Sequence, residues 1–187
     1  AFSLGWVITS EPWMASLSRL GSFKLRGSYG VTGNQGISDT AYRATYGSAN
    51  YGKAGGIAPS ILGNPNLQWE QTNETDLGFD WTVLDNRIGL AVDHYVKKTK
   101  NLLVSRPVTA TSGFTSFVDN VGNIENKGWE FELTGEILRG NPDGGLGWQM
   151  GLNYSTNKNK VTSLYQGQPI YSGIDQVNSV REGEQLG

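Results

Sequence analysis

The chain has 187 residues, no cysteine and a formal net charge of −2. This charge argues against a nucleic-acid partner, and the lack of cysteine excludes disulfides and thiolate metal sites. No apolar run approaches the ~20 residues that a transmembrane helix needs. The 26 glycines and the aromatic content of 11% instead indicate an all-β fold, in which glycine-rich turns join aromatic-rich strands. Because the first residue is Ala1 and the pattern is unfinished at the last, we expect a piece of a longer protein.

The first third of the chain predicts two strands and a long connection. Residues 2–8 alternate weakly, as at the end of a strand, and residues 10–14 predict a short helical turn. Residues 23–32 alternate clearly and predict a second strand. Residues 33–66 lose this periodicity and are rich in Gly, Ser, Asn and Tyr. A loop of this length is usually functional or disordered.

The clearest pattern runs from residue 67 to residue 104 and predicts a long β-hairpin. Its arms alternate apolar and polar residues, and the sequence Leu84-Asp85-Asn86-Arg87 between them suits a tight turn. The predicted apolar face carries Leu77, Phe79, Trp81, Val83, Ile88, Leu90, Val92 and Val96. The predicted polar face carries Asp76, Gly78, Asp80, Thr82, Gly89, Ala91, Asp93, Tyr95 and Lys97.

The remaining third predicts two more strands. Residues 105–126 are aperiodic, residues 128–137 form a strand, and residues 139–145 form a compact turn. Residues 148–155 form the last strand, after which the chain becomes irregular. The sequence thus predicts about six strands, whose apolar face carries no charge within these spans from residue 23 onward.

Two architectures explain such segregation of charge. A soluble β-sandwich packs one face of each sheet on its core, whereas a transmembrane barrel turns that face to lipid. Long connections follow the strands that end near residues 32 and 104, and short turns follow those that end near residues 83 and 137. Outer-membrane barrels alternate short and long connections in this way. The pattern therefore favours an antiparallel meander of long strands within a transmembrane β-barrel, with the sandwich as the alternative.

Six stretches of the chain, in order, resemble signatures of the SusC/RagA family of TonB-dependent outer-membrane transporters. They are residues 24–35 (KLRGSYGVTGNQ), 62–70 (LGNPNLQWE), 95–103 (YVKKTKNLL), 120–128 (NVGNIENKG), 157–161 (NKNKV) and 181–184 (REGE). The resemblance implies that residues 1–187 are a fragment of the C-terminal half of the barrel domain, without the plug. The complete member would be a 22-stranded, plugged barrel of a Bacteroidota-type bacterium.

The resemblance also implies a function and partners. The whole protein would import large nutrients, oligosaccharides or peptides, across the outer membrane. A SusD-like surface lipoprotein would cap it, TonB would supply energy through parts outside this chain, and membrane lipid would surround it. The alternative function is a cell-surface carbohydrate-binding or adhesion module built on the sandwich.

Residues that could carry chemistry are few. Glu70, Glu74, Asp76 and Asp80 share one strand face and could suggest paired carboxylates, but a polar lumen wall explains them better. His94 is the one histidine and suits a membrane interface better than a metal site. We therefore predict no catalytic residue, no metal and no cofactor.

One loop is a candidate for contact with a ligand or partner. Tyr42, Arg43, Tyr46 and Tyr51 lie among Asn and Ser residues in the aperiodic segment after the second strand. Aromatic faces stack on sugar rings, and tyrosine hydroxyls satisfy polar groups. These four residues are predicted to touch substrate or the lipoprotein cap, or else to pin the loop to its neighbours.

Overall fold

The computed structural model describes residues 1–14, 16, 21–36, 40–140, 144–172 and 178–186. One six-stranded sheet has the order β1-β2-β5-β6-β9-β10, and three two-stranded sheets pair β3 with β4, β7 with β8 and β11 with β12. The strands are β1 Phe2–Val7, β2 Ser22–Asn34, β3 Thr45–Tyr51, β4 Ala54–Ile61, β5 Glu70–Val83, β6 Ile88–Lys100, β7 Leu103–Pro107, β8 Ser116–Asn120, β9 Gly122–Leu138, β10 Trp148–Leu164, β11 Ile170–Ser172 and β12 Asn178–Val180. The predicted all-β antiparallel meander is confirmed.

The chain forms two compact units, each assembled from three segments. Unit 1 comprises Ala1–Val31, Asn73–Lys97 and Asn126–Asn159, and unit 2 comprises Thr32–Thr72, Lys98–Glu125 and Lys160–Gly187. Unit 1 contains the strand segments in which apolar and polar residues alternate. Unit 2 contains the two-stranded sheets β3–β4, β7–β8 and β11–β12.

The apolar face of unit 1 is not covered by a second layer in the described part of the chain. Phe23 and Phe79 lie on this face of neighbouring strands, with ring centroids 5.5 Å apart. Leu77 is 59% exposed and Leu152 is 62% exposed, although a sandwich would bury such side chains in its core. Among all described residues, the buried hydrophobic side chains are Val92, Val121 and Val161 alone. The sandwich alternative is therefore not supported, whereas a lipid-facing surface requires this arrangement.

The turn between β5 and β6 has the unusual backbone conformation that a tight turn requires. Leu84, Asp85 and Asn86 have φ angles of 55°, 53° and 64°. Asp and Asn tolerate this left-handed region well. The Arg87 N–H donates to the Leu84 carbonyl oxygen at 3.1 Å and closes the turn. The Arg87 guanidinium also donates to the carbonyl oxygens of Glu136 and Ile137, which ties the turn to the end of β9.

The structure differs from the sequence prediction in the segments that show no periodicity. Residues 33–66 contain the hairpin β3–β4, and residues 105–126 contain the hairpin β7–β8. β9 and β10 each run for 17 residues, well beyond the predicted spans 128–137 and 148–155. Backbone pairing maintains these strands where apolar and polar residues do not alternate, so periodicity gives no signal there. The predicted helical turn is a pair of 3-10 turns, Ile8–Ser10 and Pro12–Met14.

Across the described residues, we find no helix that is long and apolar enough to span a bilayer.

Candidate ligand- and partner-contacting surface

The hairpin β3–β4 of unit 2 presents an apolar face to solvent. Tyr46 pairs with Pro59 and Ser48 pairs with Ile57, and directly paired residues of an antiparallel ladder share a face. Gly52, at φ +63°, and Lys53 form the two-residue connection. Tyr46 is 68% exposed and Ile57 is 80% exposed. We name the surface formed by Tyr46, Ile57 and Pro59 the hairpin face.

The structure brings only part of the predicted tyrosine loop together. The Arg43 guanidinium carbon lies 5.0 Å from the centroid of the Tyr42 ring, a cation–π distance. Tyr42 nevertheless remains 45% exposed. Tyr46 lies on the hairpin face, and Tyr51 is described through its backbone, which pairs with Ala54. Contact of these four residues with a ligand or partner stays a prediction.

A cleft of about 640 Å³ lies in unit 2, next to both hairpins. Its walls come from the connection before β3, the end of β4, strand β7, the β7–β8 connection and β8. The described lining residues are Gly36, Ala41, Pro59, Ser60, Ile61, Leu62, Leu103, Ser105, Gly113, Phe114, Thr115, Ser116 and Val118. None of these lining side chains is ionisable, so the cleft suits an uncharged group.

Phe114 is not recognisable from the sequence as part of a site. Gly113 has φ +78°, and the Phe114 N–H donates to the Ser112 hydroxyl oxygen at 3.2 Å. This local turn sets the backbone from which Phe114 reaches the cleft. The Ser-Gly-Phe sequence is a turn signal, but a turn signal does not reveal which surface its aromatic residue lines.

Asn64 holds the base of the hairpin β7–β8 to the segment before β5. It is the one buried polar residue in the described chain, at 4% exposure. Its amide nitrogen donates to the Val118 carbonyl oxygen and to Asp119 Oδ1, both at 3.1 Å. Its Oδ1 accepts the Asn66 N–H at 3.1 Å. The side chain thus makes three hydrogen bonds, which satisfy its own buried amide group.

Arg106 extends this network across unit 2. Its Nε lies 3.2 Å from Asp119 Oδ2, so Asp119 binds Asn64 and Arg106 through different oxygens. The guanidinium carbon lies 4.9 Å from the Phe117 ring centroid and 4.7 Å from that of Tyr165. Arg106 therefore joins the hairpin β7–β8 to the residues that follow β10.

A second polar network surrounds Asn120. Its amide nitrogen donates to the carbonyl oxygens of Gln68 and Asn101, and its Oδ1 accepts the Gln68 N–H at 2.8 Å. Asn101, at φ 57°, donates its side-chain amide to Gln68 Oε1. Glu70 accepts hydrogen bonds from Asn34 and from the Leu103 N–H. Residues within the motifs that resemble the SusC/RagA family thus anchor the bases of the loops.

Of the four carboxylates that the sequence suggested as possible pairs, Glu74 and Asp80 are engaged in ion pairs. A terminal nitrogen of Arg26 lies 2.8 Å from Asp80 Oδ1 and 3.0 Å from Asp93 Oδ1. Lys97 Nζ lies 3.1 Å from Glu74 Oε1. This arrangement fits a polar wall, because bridged carboxylates are held by cations rather than poised to transfer protons. No group of three potential metal ligands occurs among the residues that the structure describes.

His94 belongs to the alternating series of β6 that includes Val92 and Val96. Its ring stacks on that of Trp129, with centroids 4.4 Å apart. Its Nδ1 lies 2.8 Å from the Gly128 carbonyl oxygen. The imidazole is therefore engaged by an aromatic neighbour and the backbone of β9.

Comparisons with known proteins agree with this architecture. The family profile described as "TonB dependent receptor-like, beta-barrel" matches residues 1–180. TonB-dependent receptor P39 of Formosa agariphila is 36% identical over 188 residues, which cover 100% of this chain and 18% of the relative. TonB-dependent receptor SusC of Bacteroides thetaiotaomicron is 30% identical, over 89% of this chain and 17% of the relative.

Solved structures give the same result. A chain of the RagAB peptide transporter superposes with a TM-score of 0.83 and 30% sequence identity, over 97% of this chain and 20% of that one. The RagAB peptide importer in its "open-open" state gives a TM-score of 0.80. The chain thus spans about a fifth of the length of the relatives that it matches.

Proposed function

Because the chain belongs to the TonB-dependent receptor β-barrel family of outer-membrane proteins, we propose that it forms part of the wall and external loops of a TonB-dependent importer of large nutrients. One observation supports this most directly: alternate side chains such as Leu77 and Leu152 are exposed on an apolar face, as contact with lipid requires. The polar face, with its bridged carboxylates, would then line the interior.

The proposal includes the rest of the protein. Residues 1–187 would be one piece of the barrel domain, and a plug domain would lie elsewhere in the sequence. The substrate would be an oligosaccharide or a peptide, since the similar proteins include SusC and the RagAB peptide transporter. A SusD-like lipoprotein would cap the barrel, and TonB would act through other segments.

The segment would perform no chemistry of its own. Its most concentrated carboxylates, Asp80 and Asp93, share the Arg26 guanidinium, and Glu74 pairs with Lys97. A general acid or base must exchange a proton with its substrate, whereas these carboxylates are bound to cationic side chains. Binding and passage of substrate are therefore the roles that the arrangement supports.

Uptake by the full-length receptor tests the proposal. We expect cells that carry the receptor gene to accumulate a labelled oligosaccharide or peptide, and to lose this ability when either the receptor or TonB is removed. A receptor variant that lacks the TonB-contacting segment but reaches the outer membrane is the control for expression. Uptake that continues without TonB would contradict active import.

We also propose that Tyr42, Arg43, Tyr46 and Tyr51 contact the substrate or the lipoprotein cap. The exposure of Tyr46 and the preorganised Tyr42–Arg43 pair support this. Aromatic contacts contribute about 0.5–1.5 kcal/mol each, so Tyr42→Ser with Tyr46→Ser should remove about 1–3 kcal/mol and weaken binding roughly fivefold to a hundredfold.

The matched control is Tyr171→Ser, which removes an exposed tyrosine from β11 of the same unit. Calorimetric titration of substrate into the purified receptor and copurification of the lipoprotein would be measured for both variants. A loss confined to substrate or to the lipoprotein would identify the contact. If the double variant retained both, the tyrosines would serve only to order the loop.

A further inference from the structure

The two faces of the hairpin β7–β8 differ in chemistry. Ser105 pairs with Val118 and Pro107 with Ser116, and directly paired residues share a face. This face borders the cleft of unit 2 through Ser105, Ser116 and Val118, and it carries no ionisable side chain. Arg106, one residue along from Ser105, belongs to the opposite face. The hairpin thus has an uncharged wall towards the cleft and a charged side away from that wall.

Contacts on the charged side hold this wall in place. Arg106 pairs with Asp119, whose other carboxylate oxygen accepts a hydrogen bond from Asn64. The guanidinium of Arg106 also lies over the rings of Phe117 and Tyr165. Because the wall is ordered before a ligand arrives, binding costs little conformational entropy there.

The connection between β7 and β8 is ordered by its own hydrogen bonds. The Val108 N–H donates to the Thr115 carbonyl oxygen at 3.3 Å. The Ser112 hydroxyl donates to the Thr109 carbonyl oxygen at 2.7 Å and accepts the Phe114 N–H. These bonds fix the backbone beside Phe114, which lines the cleft.

On its other side the cleft follows the edge of β4. Residues 59–62 all line it, although consecutive side chains of a strand point to opposite faces. Pro59 gives this edge no N–H, and the register with β3 shifts so that Ser60 has no partner in the ladder. A proline and a bulge both oppose the addition of another strand to an edge. The cleft is therefore suited to an inserted side chain rather than to an added strand.

The lining of the cleft selects against charged and sugar-like groups. Its polar side-chain atoms are the hydroxyls of Ser60, Ser105, Thr115 and Ser116, and its other described side chains are hydrocarbon. A buried sugar ring or charged group needs partners for each of its polar atoms, which amides, carboxylates and cations supply best. An aliphatic or aromatic side chain needs no such partners and gains free energy by leaving water. The volume of about 640 Å³ is within the range of ligand pockets, about 300–1,000 Å³.

We propose that this cleft binds an uncharged aliphatic or aromatic side chain of a peptide substrate. Phe114 and the aliphatic residues around it contact the inserted side chain, while the flanking peptide backbone stays outside, near the serine hydroxyls. The inference rests on the proposed importer function for the identity of a substrate. It concerns binding alone, so selection of a side chain by the purified receptor and TonB-dependent uptake can fail separately.

Competition among defined peptides tests this site in the full-length receptor. The probes are acetylated and amidated heptapeptides of glycine and serine that differ only in the central residue: leucine, phenylalanine, glycine, lysine or aspartate. Mass spectrometry of the receptor-bound fraction gives their relative affinities. We expect wild type to bind the leucine and phenylalanine peptides on the order of tenfold more tightly than the glycine peptide. Ser105→Asp places a carboxylate in the cleft and should abolish this preference in favour of the lysine peptide.

Two further variants make the result specific to the cleft. Ser179→Asp adds the same charge to an exposed serine of β12 in unit 2, outside the cleft, and should keep the wild-type order of affinities. Phe114→Ala adds no charge, serves if Ser105→Asp folds poorly, and should lower the affinity of the phenylalanine peptide several-fold. The proposal is overturned if wild type binds all five peptides equally, or if both cleft variants keep its order of affinities. It is also overturned if the cleft variants lose only the copurifying lipoprotein, which would make the cleft a docking site for the cap.

Discussion

Gly128 shows how a single missing side chain allows three strands to approach. A Cβ at this position would clash with the Thr156 backbone oxygen and would lie 2.6 Å from Tyr95 Oη. The backbone oxygen cannot rotate away, so Gly128→Ala forces the strands to shift. We expect this substitution to lower the free energy of unfolding by about 1–3 kcal/mol, as overpacking does elsewhere.

Gly151→Ala is the matched control for that substitution. Gly151 lies on β10 of the same unit, and a Cβ there meets no atom within 4 Å. Urea unfolding of the full-length receptor, followed by tryptophan fluorescence, would compare the two. Equal midpoints would show that the approach at Gly128 relaxes at no cost.

At the level of single residues, the sequence indicates faces but not partners. Alternation correctly places Asp80 and Asp93 on the polar side, and the turn residues Asp85 and Asn86 adopt the expected left-handed backbone. Alternation cannot reveal that Arg26 bridges these two carboxylates, because Arg26 lies on a strand whose register with β5 is set by distant pairing.

Asn64 provides a prediction at the level of elements. Asn64→Ala removes the bonds to Val118, Asp119 and Asn66, whose polar groups are partly buried. Each such loss costs about 1–3 kcal/mol, but locally, because backbone pairing of β7 with β8 remains. We expect the amides of β8 to exchange hydrogen roughly tenfold or more faster, while those of β5 keep their rates.

Hydrogen exchange followed by mass spectrometry of the full-length receptor would measure this change. Asn50→Ala is the control, since Asn50 is an exposed residue of β3. If β8 kept its exchange rate in the Asn64 variant, Asn64 would not be what anchors the hairpin.

Elements are predictable where they have two chemically different faces. The β5–β6 hairpin was predicted from alternation, because one side of it is apolar. The hairpin β3–β4 and the outer parts of β9 and β10 were missed. Apolar and polar residues do not alternate along them, and backbone hydrogen bonds alone define these strands. The cleft beside Phe114 escaped prediction for the same reason: its walls come from segments without periodicity.

At the level of the whole molecule, periodicity alone does not decide between the wall of a membrane barrel and the core of a sandwich. The same alternation serves both, so the decision requires knowing what the apolar side chains contact. The exposure of Leu77 and Leu152, together with the family match, decides for the membrane. The residues of the polar face do not have to be buried in a core, because they contact water or other parts of the protein.

A charge introduced on the apolar face provides the decisive measurement. Leu152 lies between the aromatic residues Trp148 and Tyr154 of β10, so its side chain is near the middle of the band. Leu152→Arg should therefore destabilise the receptor in a bilayer by about 2–4 kcal/mol, whereas the same change near an interface costs ~0–1 kcal/mol. Asn153→Arg, one residue along and on the polar face, should have little effect. Equilibrium unfolding in liposomes would compare them, and equal losses for both variants would mean that this face does not meet hydrocarbon.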